Sequence, residues 1–114
     1  MKITLTKKFY FSASFSRDAR MIGHNYVLGV TTEGLSENQE IQLGEKIQKN
    51  LIQKVDSRDL GQHVDFLQPV EINDQNLLKA FWTEIESVIH PVRLESLSLE
   101  RDGKTHLRLS RGET

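Results

Sequence analysis

The hydrophobic residues of this chain change their spacing twice, and these changes limit the folds that it can adopt. Residues 2–14 alternate apolar and polar side chains, and residues 25–34 are rich in β-branched and aromatic side chains. Both patterns predict strands, paired as an antiparallel hairpin. From about Glu37 the apolar residues recur at every fourth position, which predicts a helix that ends near Val55.

The second half of the chain repeats these patterns in the reverse order. A second helix is predicted to begin at Asp74, as its N-cap, and to end before Pro91. Residues 92–100 and 104–110 return to strand patterns, and Asp102-Gly103 between them is a tight-turn sequence. The order ββααββ predicts one α+β domain, residues 1–114, in which a four-stranded antiparallel sheet carries both helices on one face.

Composition argues against several classes of protein. The formal net charge is −1, so no overall basic field would attract nucleic acid or an anionic membrane surface. No apolar run approaches the roughly 20 residues that span a bilayer, and the N-terminal MKITLTKKF lacks the apolar core of a signal peptide. We therefore expect a cytoplasmic protein. The chain has no cysteine, which excludes a disulfide and a thiolate nucleophile.

The predicted sheet has two edge strands with unpaired backbone groups, which favour pairing with another chain. A second copy of the same chain, added edge to edge, would cover them. Short or charged edges are the alternative protection. We therefore expect a homo-oligomer that closes its sheets into a barrel.

Four short motifs occur in order along the chain: FSAS at residues 11–14, GHNY at 23–26, an aspartate at 56 after a helix, and LSLE at 97–100. Together they resemble the 6-pyruvoyl-tetrahydropterin synthase family, which includes the 6-carboxytetrahydropterin synthases of queuosine biosynthesis. The resemblance runs over nearly the whole chain and implies the tunnelling fold, in which subunits join their sheets into a barrel. It also implies ligand sites at subunit interfaces and a trimer, a hexamer or another barrel-closing number of subunits.

The metal site of that family is largely missing from this sequence. In the family, FSAxH, a loop with a cysteine, and HGHNY supply three zinc-binding histidines and a base. The corresponding ligand positions here are Phe15, Ile22 and His24, and the six-residue loop SRDARM carries no cysteine. Because a catalytic zinc takes three protein ligands and a water, we expect neither zinc nor zinc catalysis. His24 is then a structural histidine.

Two other family positions also differ from the family pattern. The family's Asp-His pair reads Asp56-Ser57, and Asp56 alone is equally a helix-end or turn residue. The family's pterin-contacting Thr-x-Glu-Asn is replaced by residues 73–76. There Gln75 and Asn76 are candidates either to hydrogen-bond a heterocycle or to cap the helix.

Glu100 matches the glutamate that holds the pterin in the family. A pterin presents an amino group beside a ring N–H, and a carboxylate accepts both hydrogen bonds as a bidentate pair. Guanine presents the same edge, so Glu100 suits either ring. Ser96 and Ser98 share its strand face and leave room for a ligand. The alternative is a solvated glutamate at the end of a strand.

Arg17 and Arg20 are the remaining candidates. Two arginines on a shortened loop beside the old pocket would suit the phosphate of a ligand. A solvated loop, in which Asp18 pairs with a neighbouring arginine, is the alternative. Cyclic diguanylate carries two guanines and two phosphates and would bridge neighbouring subunits, although nothing in the sequence requires it.

The sequence thus favours a homologue of the synthases that has lost zinc catalysis. Such a protein would bind a pterin- or guanine-type molecule, or act as a regulatory or assembly subunit. The competing hypothesis is an enzyme, either a synthase with an unusual site or a metal-free aldolase-type pterin enzyme that uses Glu100 in acid–base chemistry. The missing cysteine and the two missing histidines count against the synthase. A structural or partner-binding protein is the third hypothesis.

Overall fold

A computed structural model describes residues 1–17, 20–60, 64–67 and 71–112, with the side chains of Ser16, Arg17 and Asp65 excepted. Two long strands form a hairpin, a helical segment and a second helix follow, and a shorter hairpin ends the described chain. Within the described ranges, no helix has the length and apolarity needed to cross a membrane.

The first hairpin pairs β1 (Thr4–Arg17) with β2 (Arg20–Glu33) without a break. The register runs from Thr4 opposite Glu33 to Arg17 opposite Arg20. The predicted six-residue loop over SRDARM was therefore wrong for the four of its residues that lie in these strands. Phe15 and Ile22, directly opposite each other, continue the apolar face of the hairpin beyond the motifs and favour pairing to its tip. Asp18 and its predicted pairing lie outside the described residues.

The first helical segment begins at a capping box, in which the Ser36 hydroxyl accepts from the Gln39 N–H and the Gln39 side chain accepts from the Ser36 N–H. It consists of α1 (Glu37–Ile47), a π-helix (Gln48–Ile52) and α2 (Gln53–Val55). The predicted end near Val55 is confirmed.

The π-helix explains how the four-residue apolar spacing stays on one side of this segment. Side chains four residues apart drift by roughly 40° per step around a helix of 3.6 residues per turn. The wider π turn compensates for this drift. It lets four apolar side chains at that spacing be buried together, namely Leu43, Ile47, Leu51 and Val55.

The second long helix, α3 (Asp74–Ile89), begins one residue earlier than predicted. Its N-cap is Asn73, whose side chain accepts from the Asn76 N–H at 2.8 Å. Asp74 is instead the first helical residue, where its carboxylate pairs with Arg101 at 3.0 Å. This ion pair fixes the start of α3 against the sheet.

Within the described part of the chain, the sheet has five strands in the order β3-β1-β2-β4-β5, so the prediction of four antiparallel strands was wrong. The second hairpin, β4 (Leu94–Arg101) and β5 (Thr105–Ser110), is as predicted. The additional strand, β3 (Arg58–Asp59), pairs in parallel with Ala13 and Ser14 of β1 and makes the sheet mixed. A strand of two residues has no periodicity, and so the sequence pattern could not reveal it.

Alternation along the strands gives the sheet two different faces. The helix-covered face carries the buried core, with Phe11, Tyr26 and Leu99 among its side chains. The opposite face, which we call the open face, carries Tyr10, Val27 and Glu100 in one cross-strand row. Residues adjacent in sequence therefore have side chains on opposite faces, one in the core and one on the open face.

The turn of the second hairpin is fastened to β2 by Asp102. This residue and Gly103 have positive φ angles of 54° and 68°. Asp102 donates its N–H to the Asn25 carbonyl at 2.7 Å, and its carboxylate accepts from the Asn25 N–H at 2.8 Å. The other carboxylate oxygen lies 2.6 Å from His24 Nδ1. The Asn25 N–H first, and the His24 side chain second, lower the pKa of the Asp102 carboxyl.

We expect Asp102→Asn to lower the urea midpoint of unfolding at pH 7. Asparagine tolerates the left-handed conformation, so the change removes mainly the negative charge. Because the folded pKa of Asp102 lies below its unfolded value, the carboxylate stabilises the fold above the unfolded pKa. That contribution is lost as the pH falls through the folded pKa. The midpoint difference between the two proteins should therefore shrink on acidification below about pH 4.

Glu45→Gln is the matched control, because it removes one negative charge from an exposed position in α1. Its midpoint should stay close to that of the unsubstituted protein. A midpoint difference for Asp102→Asn that is the same at pH 7 and pH 3 would show that the charge does not fasten the turn.

Candidate ligand-binding site

Two adjoining cavities lie where the second hairpin meets the first. The larger has a volume of about 610 Å³ and the smaller about 330 Å³. Both fall within the range of small-molecule sites, roughly 300–1,000 Å³. They share three lining residues, which are Ser12, Asn25 and Asp102.

A short hydrogen-bond network holds the wall between the two cavities. Ser12 donates its hydroxyl to Asn25 Oδ1 at 2.6 Å and its N–H to Asp56 Oδ1 at 2.9 Å. The Ser12 carbonyl accepts from the Ser57 N–H. Because Ser12 lies directly opposite Asn25 in the β1–β2 register, the motifs FSAS and GHNY act here as one structural unit.

The larger cavity is lined by the carboxylates Glu100, Asp56 and Asp102, and no lysine or arginine is among the described residues that line it. We call it the acidic cavity. A site of this kind favours ligands that donate hydrogen bonds and disfavours a phosphate group, which would face like charge.

Glu100 differs from the other two carboxylates in having no internal partner. Asp56 accepts from Ser12, and Asp102 contacts both Asn25 and His24. The Glu100 side chain forms no hydrogen bond or ion pair with any described residue. Its side chain is half-buried between the row of Val27 and Tyr10 and the turn at Gly103. Both of its oxygens are therefore available to a ligand.

Tyr26 supports one wall of the acidic cavity from within the core. Its ring stacks on Phe11 with centroids 4.9 Å apart, and its hydroxyl is buried without a hydrogen-bond partner in the described part of the chain. Burial first, and the nearby charge of Asp74 second, raise the pKa of Tyr26 to about 12. The phenol therefore stays neutral near pH 7 and cannot serve there as a base.

Of the sequence-predicted site residues, three come together here. Glu100 and Asp56 line the acidic cavity, and His24 lines the smaller one. Asp56 lies at the end of a helix, which was one of its two predicted roles. It is the C-cap residue of α2, and its carboxylate accepts a hydrogen bond from the Ser12 N–H.

The two arginines lie far from Glu100 within one chain. Arg20 is seven residues along β2 from Val27, the strand partner of Glu100. At about 3.3 Å per residue, this places it roughly 23 Å along the strand. Arg17 is opposite Arg20, and its side chain lies outside the described residues.

Gln75 and Asn76 also lie elsewhere, in the first turn of α3 on the helix-covered face. Asn76 donates its side-chain amide to the Glu71 carbonyl at 2.9 Å and its N–H to the cap at Asn73. Gln75 is exposed. Neither residue lines the acidic cavity of its own chain.

Three site residues were missed as contributors because their sequence signals were ordinary. The sequence predicts Asp102 only as a turn residue. It places Ser12 and Asn25 only within the motifs FSAS and GHNY. A possible signal was the spacing of the two motifs, which places Ser12 and Asn25 opposite each other in a tight hairpin.

The positions that match the family's zinc ligands do not suit a metal. Phe15 lies opposite Ile22 in the ladder, and its ring centroid is 5.8 Å from that of His24. Neither apolar side chain has an atom that can coordinate a metal, so of the three positions only His24 offers one, its imidazole nitrogen. Among described residues, no group of three or more histidine, cysteine, aspartate or glutamate side chains could hold a metal ion. These residues therefore do not provide the three ligands of a catalytic zinc.

Comparisons with known proteins give a structural match and no sequence match. No family model matches the chain, and no curated protein matches it. Among solved structures, the 6-pyruvoyl tetrahydropterin synthase of Caenorhabditis elegans is similar with a TM-score of 0.82 at 20% sequence identity. The match covers 98% of this chain and 97% of that one. The resemblance read from the motifs is thus confirmed for the fold, and this chain has the tunnelling fold of 6-pyruvoyl tetrahydropterin synthase.

Proposed function

We propose that this protein binds a pterin or guanine ring through Glu100 and carries out no zinc chemistry. The observation that supports this proposal is the unpartnered carboxylate of Glu100 on the acidic cavity. Two other carboxylates on the same cavity are already engaged by the protein. Glu100 is therefore the group that would gain most from a ligand with two donors.

The ring type follows from hydrogen-bond chemistry. Pterin and guanine each present an amino group beside a ring N–H, and one carboxylate accepts both bonds in a bidentate pair. Tyr10, which is 68% exposed, offers an aromatic surface on the same cavity. A flat heterocycle would stack there while its donor edge meets Glu100. Adenine lacks this pair of donors and should be rejected.

The charge of the cavity favours the neutral ring over a nucleotide. A phosphate attached to a ring on Glu100 would lie among carboxylates. Arg17 and Arg20 of the same chain are too distant along the hairpin to neutralise it. Guanine nucleotides and cyclic diguanylate thus require these arginines to come from a neighbouring subunit, so we rank them below the unphosphorylated rings.

An acid–base pterin enzyme is the second candidate, and one observation favours it. The Asp102 carboxylate, 2.6 Å from His24 Nδ1, fixes the orientation of the imidazole beside the smaller cavity. A histidine held in this way is suited to proton transfer. Turnover of a dihydropterin that is lost in His24→Gln and retained in Glu45→Gln would favour this candidate over a binding protein.

We expect Glu100→Ala to weaken binding of guanosine and of pterin by well over tenfold. Removal of one partner from a buried charge-assisted pair typically costs about 2–5 kcal/mol. Glu100→Gln should also weaken binding, because an amide offers one acceptor where the ring has two donors. Isothermal titration calorimetry measures both effects, with adenosine as the ligand control and Glu45→Ala as the protein control.

An affinity for guanosine or pterin that Glu100→Ala leaves unchanged would show that this carboxylate is not the anchor. If neither ring binds, a structural or partner-binding role becomes the better account. Substitution of Arg17 and Arg20 should affect only phosphorylated ligands, and the effect should shrink as salt rises.

We expect the protein to be an oligomer in solution, with three, six or another number of subunits that closes a barrel. Among the described residues, β5 forms one edge of the sheet, and β3 pairs with Ala13 and Ser14 alone of the 14-residue β1. The rest of β1 has backbone groups that another chain can pair with. Analytical ultracentrifugation at micromolar concentration checks this, and a stable monomer would contradict it.

We also expect the purified protein to contain no stoichiometric zinc, because two of the three ligand positions are Phe15 and Ile22. Elemental analysis after dialysis against trace zinc measures the content. About one zinc per chain, lost in His24→Ala, would contradict the proposed loss of zinc chemistry.

A further inference from the structure

A third cavity, of about 480 Å³, lies on the helical side of the protein and is separate from the acidic cavity. Three cationic side chains line it: Lys49, Lys54 and Arg58. Gln53 and Glu84 are the other polar residues among its described lining, and the apolar side chains of Val64 and Phe66 also line it. We call it the basic cavity.

The π-helix places the two lysines on the same side of the helical segment. In an α-helix, residues five apart point roughly 140° away from each other. In a π-helix, the hydrogen bonds join residues five apart, so such residues become neighbours on successive turns. The Gln53 N–H bonds to the Gln48 carbonyl in this way. Lys49 and Lys54 have the same separation, and both reach the basic cavity.

Arg58 arrives from a different element. Ser57 has a positive φ of 61°, which turns the chain after α2, and Arg58 then joins β3 beside β1. The turn is held by the Ser57 N–H on the Ser12 carbonyl and by Asp56 on the Ser12 N–H. The backbone of Arg58 is therefore held in place by its pairing with the sheet.

These three cations are unpaired in the described part of the chain. None of the ion pairs between described residues involves them, whereas Lys7, Arg101 and Arg111 each have a carboxylate partner. Glu84 is the carboxylate among the described lining side chains. Three positive charges facing one negative charge repel each other, and a bound anion would relieve that repulsion.

We propose that the basic cavity binds an organic phosphate. Arg58 would hold two phosphate oxygens with its guanidinium fork, and Lys49 and Lys54 would neutralise the remaining charge. The body of the ligand would lie against Phe66 and Val64, with the Gln53 amide as a hydrogen-bonding partner. The basic cavity thus favours the phosphate groups that the acidic cavity disfavours, and phosphate binding there does not depend on Glu100.

The test is calorimetric titration of the full-length protein with inorganic pyrophosphate and with ADP. We expect saturable binding of both, weakened by added salt, and a higher affinity for ADP because of its apolar contacts. The double variant Lys49→Gln/Lys54→Gln should weaken the binding of both ligands at least tenfold. Glu84→Gln should strengthen both by a few-fold, because it removes the opposing negative charge.

Lys8→Gln/Lys104→Gln is the matched control, since it removes the same two charges from exposed lysines that do not line the basic cavity. This control should change the affinities for pyrophosphate and ADP by no more than about twofold. Glu100→Ala should also change them by no more than about twofold. The absence of saturable binding would overturn the proposal, and so would an equal loss in the two double variants. Equal affinities for ADP and pyrophosphate would contradict the proposed contact of the ligand with Val64 and Phe66.

Discussion

The register of the first hairpin is the constraint on which the other features depend. Side chains alternate with a period of two along a strand, so a shift of one residue would move every side chain to the opposite face. The observed register places Ser12 opposite Asn25 and Phe15 opposite Ile22. The first pair builds the wall between two cavities, and the second places two apolar side chains together at the positions that match zinc ligands of the synthase family. One register thus positions both the polar wall of the cavities and the apolar end of the hairpin.

The other elements position groups relative to this hairpin. β4 pairs with β2 so that Glu100 lies beside Val27 on the open face, while its neighbour Arg101 reaches the helix-covered face and binds Asp74. Asp102 then fastens the turn back to β2 through Asn25. Because consecutive residues reach opposite faces, one hairpin stabilises the helix and supplies the proposed anchor for a ligand.

Much of the fold could be predicted from the sequence because long amphipathic elements leave a periodic pattern. The helix ending near Val55, the helix before Pro91 and the hairpin around Asp102 all have such patterns, and the motifs resembled the correct fold. The π-helix and the two-residue β3 could not be predicted, since the first alters the helix period only locally and the second is too short to have one. Both elements bear on the proposed phosphate site, because they place the cations of the basic cavity.

The site was harder to predict than the fold because it depends on distances between elements. Glu100 was predicted from its match to the glutamate of the synthase family, and in the structure it lines a cavity. Arg17 and Arg20 were predicted to lie with it on a shortened loop beside the pocket, but the strands extend to these residues and separate them from Glu100. Asn76 had two readings, and its hydrogen bonds to Glu71 and Asn73 correspond to capping.

The formal net charge of −1 conceals a division of charge between the two sides of the protein. The acidic cavity gathers carboxylates near the open face, and the basic cavity gathers cations beside the helices. Asp56, Ser57 and Arg58 are consecutive, yet the first lines the acidic cavity and the last lines the basic one. The left-handed conformation at Ser57 separates them, and Ser12 holds the turn on β1. A chain with almost no net charge therefore presents two cavities of opposite charge, and the two proposed sites differ in preference because ligand recognition depends on the local field within each cavity and not on the sum of charges.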